Sequence, residues 1–321
     1  MAVHWLRRSV LAAAGVSAAL LLAGCGSSTI ESALKPERFI AFGDGFSDVG
    51  QIRGARYTIN DGSVNNWTQE LASIYNLALT PASAGGTSYP QGNARVTAQP
   101  DAAGNANTPT VAQQIDKFLS TGSFKESDVV VIGAGASDIV AHMAAVTAGT
   151  QTPEQLLANA QQAGRDLGAQ VIRTIAAGAK YVVVAGTYNL GRSPWAKAID
   201  KESLLEQASS KFNEAFLVSV VDQGNKVLYI DAAYYFNLVT ASPSSYSFDN
   251  ANASKPVCTA IDAGPGIGIG AGQLNSALCT PSTLLAGADS SKYIFADALY
   301  FTPTAQRLFG VYAYDRLHAR W

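Results

Sequence analysis

Four aspartates follow apolar stretches of the sequence, where a carboxylate can act as a general acid, orient a base or bind a metal. Because the carboxyl ends of parallel strands meet at one edge of a sheet, a parallel sheet would bring the four together. A divalent metal site and a two-carboxylate glycosidase are the two chemistries that such a cluster suggests. Neither chemistry is favoured, because Asp44, Asp48 and Asp138 can each cap a local turn and their spacing fits no Ca²⁺ loop. We therefore expect no metal and no cofactor. The four are Asp44, Asp48, Asp138 and Asp297.

The first aspartate lies in the stretch RFIAFGDGFSDVG, over residues 38–50. The apolar run 39–42 predicts a short buried strand, which breaks at the turn Gly43-Asp44-Gly45. The stretch resembles the first block of the GDSL or SGNH hydrolases, F-G-D-S-x-S-D-x-G. These are esterases and lipases in which the serine of G-D-S is the nucleophile. In this chain Gly45 stands at the nucleophile position.

Two further stretches resemble the blocks with which this family forms its oxyanion hole. Residues 85–96 are similar to N-Y-A-x-G-G-A-R, with Asn93 at the glycine whose backbone N–H is a donor. Residues 133–138 are similar to G-x-N-D, with Ser137 at the asparagine. A backbone N–H survives the first substitution, whereas the serine hydroxyl has a shorter reach than an asparagine amide.

The last two blocks lie at residues 189–194, similar to N-L-P-x-L-G-x-T-P, and at residues 297–303, similar to D-x-x-H-x-T-P. In the second of them Asp297 corresponds to the acid that orients the catalytic histidine. Tyr300 stands at the histidine position. The resemblance therefore leaves Asp297 as the one retained residue of a Ser-His-Asp triad.

Loss of the nucleophile or of the base costs a serine protease about a millionfold in turnover, and the two losses are not additive. A chain that had lost one would be free to lose the other, so Gly45 and Tyr300 together indicate a coherent loss of triad chemistry. We therefore predict a non-catalytic member of the family. Its old cleft would bind an acyl-ester or glycan ligand, or form an interaction surface.

The alternative is a working carboxylic-ester hydrolase with an unorthodox nucleophile. Ser47 is the candidate, two positions beyond Gly45, although a hydroxyl at a turn usually bonds its local backbone. His142 lies a helical turn beyond Asp138 and His318 at the end of the last predicted helix, and each is expected to be a surface or helix-end histidine. The sequence leaves this alternative open.

Predicted strands and helices alternate along the chain. This alternation indicates a parallel, doubly wound α/β sheet, and the resemblance implies a three-layer α/β/α sandwich with five parallel strands in a flavodoxin-like order. The strands are predicted at residues 39–42, 77–79, 128–132, 181–185 and 227–230 and the helices at residues 67–75, 108–119, 152–176, 202–221 and 304–318.

Residues 1–24 resemble a secretory signal, with Arg7 and Arg8 before an apolar run too short for a comfortable membrane span. The run ends in Leu-Ala-Gly-Cys, similar to a bacterial lipobox, which implies lipidation of Cys25. Residues 25–37 would then be a tether and 38–321 the hydrolase-like domain. Gly26 implies export to the outer membrane, so we expect an envelope protein whose partner is the membrane. An ordinary cleaved signal is the alternative.

The amino-acid composition argues against one class of binding partner. The 321 residues are 48% hydrophobic and carry a formal net charge of -2. No run rich in lysine or arginine is present, which argues against nucleic acid, since phosphate binding needs clustered cations.

The two other cysteines, Cys258 and Cys279, lie in a Gly/Ser-rich insertion at residues 240–291. An even pair in an oxidising compartment predicts a disulfide that closes a flexible loop. Two buried free thiols are the alternative.

Overall fold

The computed structural model describes residues 32–64 and 66–321. The predicted signal and Cys25 lie outside these residues. Leu34–Trp321 forms one compact unit. Among the helices of the described ranges, none combines the length and the apolar character needed to span a bilayer.

The central sheet has four parallel strands, which lie side by side in their order along the chain. β2 is buried over its whole length because its run DVVVIG is covered on both faces, as an interior parallel strand requires. The strands are β1 (Arg38–Gly43), β2 (Asp128–Gly133), β3 (Tyr181–Ala185) and β4 (Val227–Ile230).

The predicted five-strand count is wrong, because residues 77–79 do not form a strand. After the first helix, Asn76 adopts a left-handed conformation with φ 58°, and the N–H of Leu77 donates back to Ala72. Pro81 follows and has no N–H to give to a ladder. The place beside β1 is instead taken by a single bridge between Ala41 and Ser88.

The segment around Ser88, at the edge of the sheet beside β1, shows where the chain changes from one side of β1 to the other. From β1 the chain goes to Ser88 on one side and then crosses to β2 on the other. The carboxyl ends of β1 and β2 therefore flank a topological switch point, which is where open α/β sheets bind ligands.

The α-helices of the described residues flank the sheet in two groups, one made by α1 with α8 and the other centred on α4 with α6. They are α1 (Trp67–Ile74), α2 (Val111–Thr121), α3 (Ala136–Thr147), α4 (Pro153–Ala176), α5 (Pro194–Ala198), α6 (Glu202–Ser219), α7 (Ala232–Ala241) and α8 (Pro303–Arg320).

One helix begins later than the sequence predicts. Thr110 caps α2 through a capping box with Gln113, whereas Thr108 donates its hydroxyl to Asp101, 2.6 Å away. The Thr-Pro pair at 108–109 therefore precedes the helix. The predicted threonine cap is therefore present but lies two residues later, at Thr110, because both threonines can act as a cap.

Residues 240–291 contain short 3₁₀ turns and a two-stranded antiparallel pair, β5 (Ile261–Asp262) and β6 (Gln273–Leu274). The structure joins Cys258 to Cys279, as the sequence predicts, with 5.9 Å between their Cα atoms. Both cysteines are buried in a small apolar cluster separate from the main core. The disulfide thereby holds the segment together where the apolar contacts are few.

Candidate active site

The turn after β1 is held tightly against the end of β2. A β-carbon on Gly43 would collide with the carbonyl of Gly133, and the N–H of Asp44 donates to that carbonyl over 3.0 Å. The amide of Gln114 accepts from the N–H of Gly43 and donates to its carbonyl, at 2.8 and 2.9 Å. No sequence pattern singled out Gln114, since a glutamine inside a helix carries no local signal.

Asp44 connects the two strand-end turns. Its carboxylate accepts from the N–H of Phe46 at 3.0 Å and from the N–H of Ser137 at 3.4 Å. Burial outweighs these hydrogen bonds and raises the pKa of Asp44 to about 7. The carboxyl is therefore a structural link between β1 and α3 that holds its proton more tightly than an exposed aspartate.

Tyr300 lies directly on Gly45. The phenol oxygen is 2.5 Å and the ring carbon that bears it 2.8 Å from the position of a β-carbon on residue 45. The side chain of Tyr300 is buried, and desolvation raises the pKa of its phenol well above the ordinary value. The two positions that the sequence resemblance assigns to the nucleophile and the base are thus in contact, and the phenol occupies the volume that a side chain at residue 45 would need.

A second tyrosine closes the other side of the cleft. The ring of Tyr57 packs against the ring of Tyr300 with 5.0 Å between centroids, and its phenol lies against the backbone of Gly92. The cavity left beside Asp44 and Tyr300 measures about 10 Å³, which is close to the minimum for a single water. The expectation that the old cleft takes a ligand is therefore corrected, because two aromatic side chains fill it.

Asp297 no longer faces an imidazole. One carboxylate oxygen accepts from the N–H groups of Leu299 and Tyr300, at 2.8 and 2.6 Å, and the other accepts from the N–H of Ser276 at 2.8 Å. Burial raises the pKa of Asp297. The phenol of Tyr188 donates to the carbonyl of Leu299 over 2.6 Å, so these contacts together fix the turn that carries Tyr300.

The two remaining oxyanion positions have unusual surroundings. Asn93 has φ 64°, a left-handed conformation that explains why the family pattern has glycine there. Its amide Nδ2 donates to the carbonyl of Gly266 over 2.8 Å, which ties it to the insertion. The hydroxyl of Ser137 is buried and has no hydrogen-bond partner among the described residues.

Ser47 lies below the cleft, packed against the backbone of Gly133. It is fully buried, and the indole Nε1 of Trp67 donates to its Oγ over 3.2 Å. Among the described residues, no other polar side chain forms a hydrogen bond with this hydroxyl. The contact fixes Trp67 in the core and supplies no base.

The two histidines have other partners. His142 accepts at Nε2 from Arg95 over 3.1 Å, which places its proton on Nδ1, 3.2 Å from the side-chain oxygen of Gln151. Burial and the charge of Arg95 lower the pKa of His142. His318 stacks on Tyr314 near the end of α8.

The other strand-end aspartates also act locally. Asp48 accepts from the N–H groups of Gly50, Gln51 and Gly92, and Asp138 accepts from Val96 and pairs with the nearby arginine at 3.3 Å. Burial raises the pKa of each to about 6. Within the described ranges no group of three or more His, Cys, Asp or Glu side chains is arranged to hold a metal ion.

A comparison with protein families finds one match that spans most of the chain. The model described as GDSL-like Lipase/Acylhydrolase matches residues 39–311. No curated protein sequence matches.

Solved structures with a similar chain path include an aryl esterase of M. smegmatis, 15% identical, which covers 88% of this chain and 99% of its own at a TM-score of 0.47. Another is Est24, a carbohydrate acetylesterase from Sinorhizobium meliloti, with 13% identity, coverages of 88% and 99%, and a TM-score of 0.47. A third is a member of the lipolytic protein G-D-S-L family from Veillonella parvula, with 13% identity, coverages of 87% and 96%, and a TM-score of 0.42.

Proposed function

The chain belongs to the GDSL-like lipase/acylhydrolase family, and we propose that it is a member that binds a ligand without cleaving it. A serine hydrolase needs a hydroxyl that attacks and an imidazole that takes its proton. Glycine and tyrosine stand at those two positions. The contact between Tyr300 and Gly45 is the observation that carries the absence of cleavage, since it fills the reaction site with a phenol, and the ligand would bind outside this site.

The environment of Ser47 argues against a substitute nucleophile. A nucleophilic serine must reach both a base and the substrate. This hydroxyl is buried, accepts from Trp67, and lies on the backbone of Gly133 beneath the filled cleft. A role in fixing the indole accounts for all of these contacts.

We further propose that the protein is an envelope lipoprotein, anchored through Cys25 in the outer membrane. The order of basic residues, apolar run and Leu-Ala-Gly-Cys supports this proposal. The disulfide between Cys258 and Cys279 is consistent with an oxidising compartment. Two acyl chains give stable membrane attachment where one would not.

The test is an activity assay on residues 26–321, which contain the whole compact unit Leu34–Trp321 and lack Cys25. The protein is incubated with p-nitrophenyl acetate, p-nitrophenyl butyrate and a fluorophosphonate probe, beside a heat-denatured sample. We expect no turnover above that sample and no labelling of any serine.

Turnover or labelling that disappears in the Ser47→Ala variant would establish the alternative, a working ester hydrolase. Because Ser47→Ala removes an acceptor from a buried indole and can lower stability, the labelled peptide is also identified by mass spectrometry in the parent protein. Labelling mapped to Ser47 would reject the proposal even if the variant failed to fold.

A further inference from the structure

An apolar chamber of about 550 Å³ offers room for a ligand. Its volume falls in the range of small-molecule binding sites. The insertion segment 264–271 forms one wall, and the end of α3 with residues of and just after α5 forms the other. Its lining is aliphatic, aromatic or glycine apart from the hydroxyl of Thr147, and it includes Ala103, Ala144, Ala148, Trp195, Ile199 and Pro265.

A polar chamber of about 500 Å³ adjoins it. Ala103 and Pro265 line both chambers, so the two share a wall. The carboxylates of Asp48, Asp101 and Asp262 line the polar chamber, with one guanidinium, that of Arg53, among its charged groups.

Hydrogen bonds hold this chamber in shape. Asp101 accepts from the N–H groups of Ala103 and Asn105, at 2.9 and 2.8 Å, and from the hydroxyl of Thr108. These bonds fix the loop that carries Ala103, which lines both chambers. The chamber is therefore largely formed before any ligand arrives, which reduces the entropy that binding must overcome.

The side-chain oxygen of Asn93 could accept a hydrogen bond from a ligand hydroxyl. Its Nδ2 is used by the carbonyl of Gly266, but its Oδ1, although buried, has no hydrogen-bond partner in the described part of the chain. A buried acceptor without a donor costs free energy. Asn93 lines the polar chamber, from which a ligand hydroxyl could supply the missing bond.

We propose that the two chambers bind one amphiphile, with a single alkyl chain in the apolar chamber and an uncharged, hydroxylated head group in the polar chamber. The proposal rests on the proposed function, in which the ligand is held and not cleaved. The apolar lining selects the chain. Three carboxylates against one guanidinium repel an anionic head group and accept hydrogen bonds from hydroxyls.

The experiment is a calorimetric titration of residues 26–321 with octyl, nonyl and decyl maltoside below their micelle concentrations. Each methylene buried in the apolar chamber should tighten binding about fourfold, or roughly 15-fold from octyl to decyl. Free maltose, which has the head group but no chain, should bind far more weakly than decyl maltoside. Decyl sulfate, with the same chain and an anionic head, should bind at least tenfold more weakly. An affinity independent of chain length would overturn the proposal, and equal binding of decyl sulfate would overturn the assignment of the head group.

Two variants narrow the apolar chamber from α3. Ala144→Phe and Ala148→Phe each place a ring in it, at exposed positions where the fold tolerates a larger side chain. Each should weaken decyl maltoside binding at least tenfold. Ala158→Phe, the same change at an exposed position of α4 outside the chamber, should leave binding unchanged. Thermal unfolding verifies that all three variants fold. Unchanged affinity in both chamber variants would place the ligand elsewhere.

The two proposals fail in distinguishable ways. Absence of maltoside binding together with absence of turnover would reject the amphiphile site and leave the inactive-hydrolase proposal standing. Turnover of p-nitrophenyl esters would reject the latter, whatever the titration shows.

Discussion

The phenol oxygen of Tyr300 lies 2.5 Å from the point where residue 45 would carry a β-carbon. Gly45 is not among the residues with positive φ, so its backbone alone does not demand a glycine. The tyrosine at position 300 can therefore pack here because residue 45 has no side chain.

Gly45→Ser should destabilise the protein by about 1–3 kcal/mol, since it forces extra atoms into a filled volume. Adding Tyr300→His should recover most of that loss, because the imidazole is smaller. Urea unfolding of the single and double variants measures the coupling. Gly224→Ser is the control, at a site with ordinary φ and no close neighbour, and should change stability little. A Gly45→Ser variant as stable as the parent would contradict the packing argument.

The double variant Gly45→Ser, Tyr300→His should also gain esterase activity, at least tenfold above the parent toward p-nitrophenyl acetate. It restores a hydroxyl and an imidazole beside Asp297, whose carboxylate already contacts the backbone of residue 300. Each single variant should stay at background, since the triad acts as a unit. Adding Asp297→Ala should remove the gain. A folded double variant without activity would contradict the correspondence of residues 45, 300 and 297 to a working triad.

The stability of the protein should fall as the pH rises from about 4 to about 7 through the titration of Asp44. Its folded pKa of about 7 exceeds the ordinary 3.8, so the folded state binds more protons than the unfolded state within this window. The contribution is fully present below the ordinary pKa and is lost above the folded one. Denaturant unfolding at several pH values measures it.

Asp44→Asn isolates this effect from Asp48 and Asp138, which titrate in the same direction. The variant should lose stability at low pH but show a shallower decline with pH. The difference between the two curves should approach about 4 kcal/mol at most across the window. Parallel curves for parent and variant would show that the pKa of Asp44 is not raised.

Reduction of the disulfide between Cys258 and Cys279 should lower the free energy of unfolding by about 3 kcal/mol, from the entropy of a loop with a separation of 21 residues. Comparing oxidised and reduced protein avoids the cavities that substitution of two buried cysteines would leave. Non-reducing peptide mapping identifies the link. Two alkylatable thiols in the native, unreduced protein would refute it.

Cys25→Ala should release the protein from membranes or stall its processing, because lipidation needs the thiol. Expressed in a Gram-negative host, the parent should partition into the detergent phase and the variant into the aqueous phase. Cys258→Ala serves as a control, since that cysteine lies in the folded unit and forms a disulfide there, and it should leave the partitioning unchanged. Equal partitioning of the parent and the Cys25→Ala variant would reject the proposal that Cys25 carries a lipid anchor.

Local patterns in the sequence determined the α/β class and the strand ends, because continuous apolar runs and the turns that end them are encoded by adjacent residues. They also predicted the pairing of Cys258 with Cys279 from residue count and compartment. They failed at residues 77–79, where a left-handed asparagine and a proline prevent pairing with β1. Strand formation there depended on a partner that no local pattern specifies.

Only the tertiary structure decided how the candidate site is filled. The sequence resemblance predicted which positions correspond to the triad, but not that Tyr300 would fill the space above Gly45 or that Tyr57 would close the opening beside Gly92. The contacts of Tyr300 with Gly45 and with Tyr57 join segments more than 200 residues apart, and a loop tyrosine such as Tyr57 carries no motif. The same holds for the two chambers, since their shared wall forms only where the insertion packs against the loop that follows the second block.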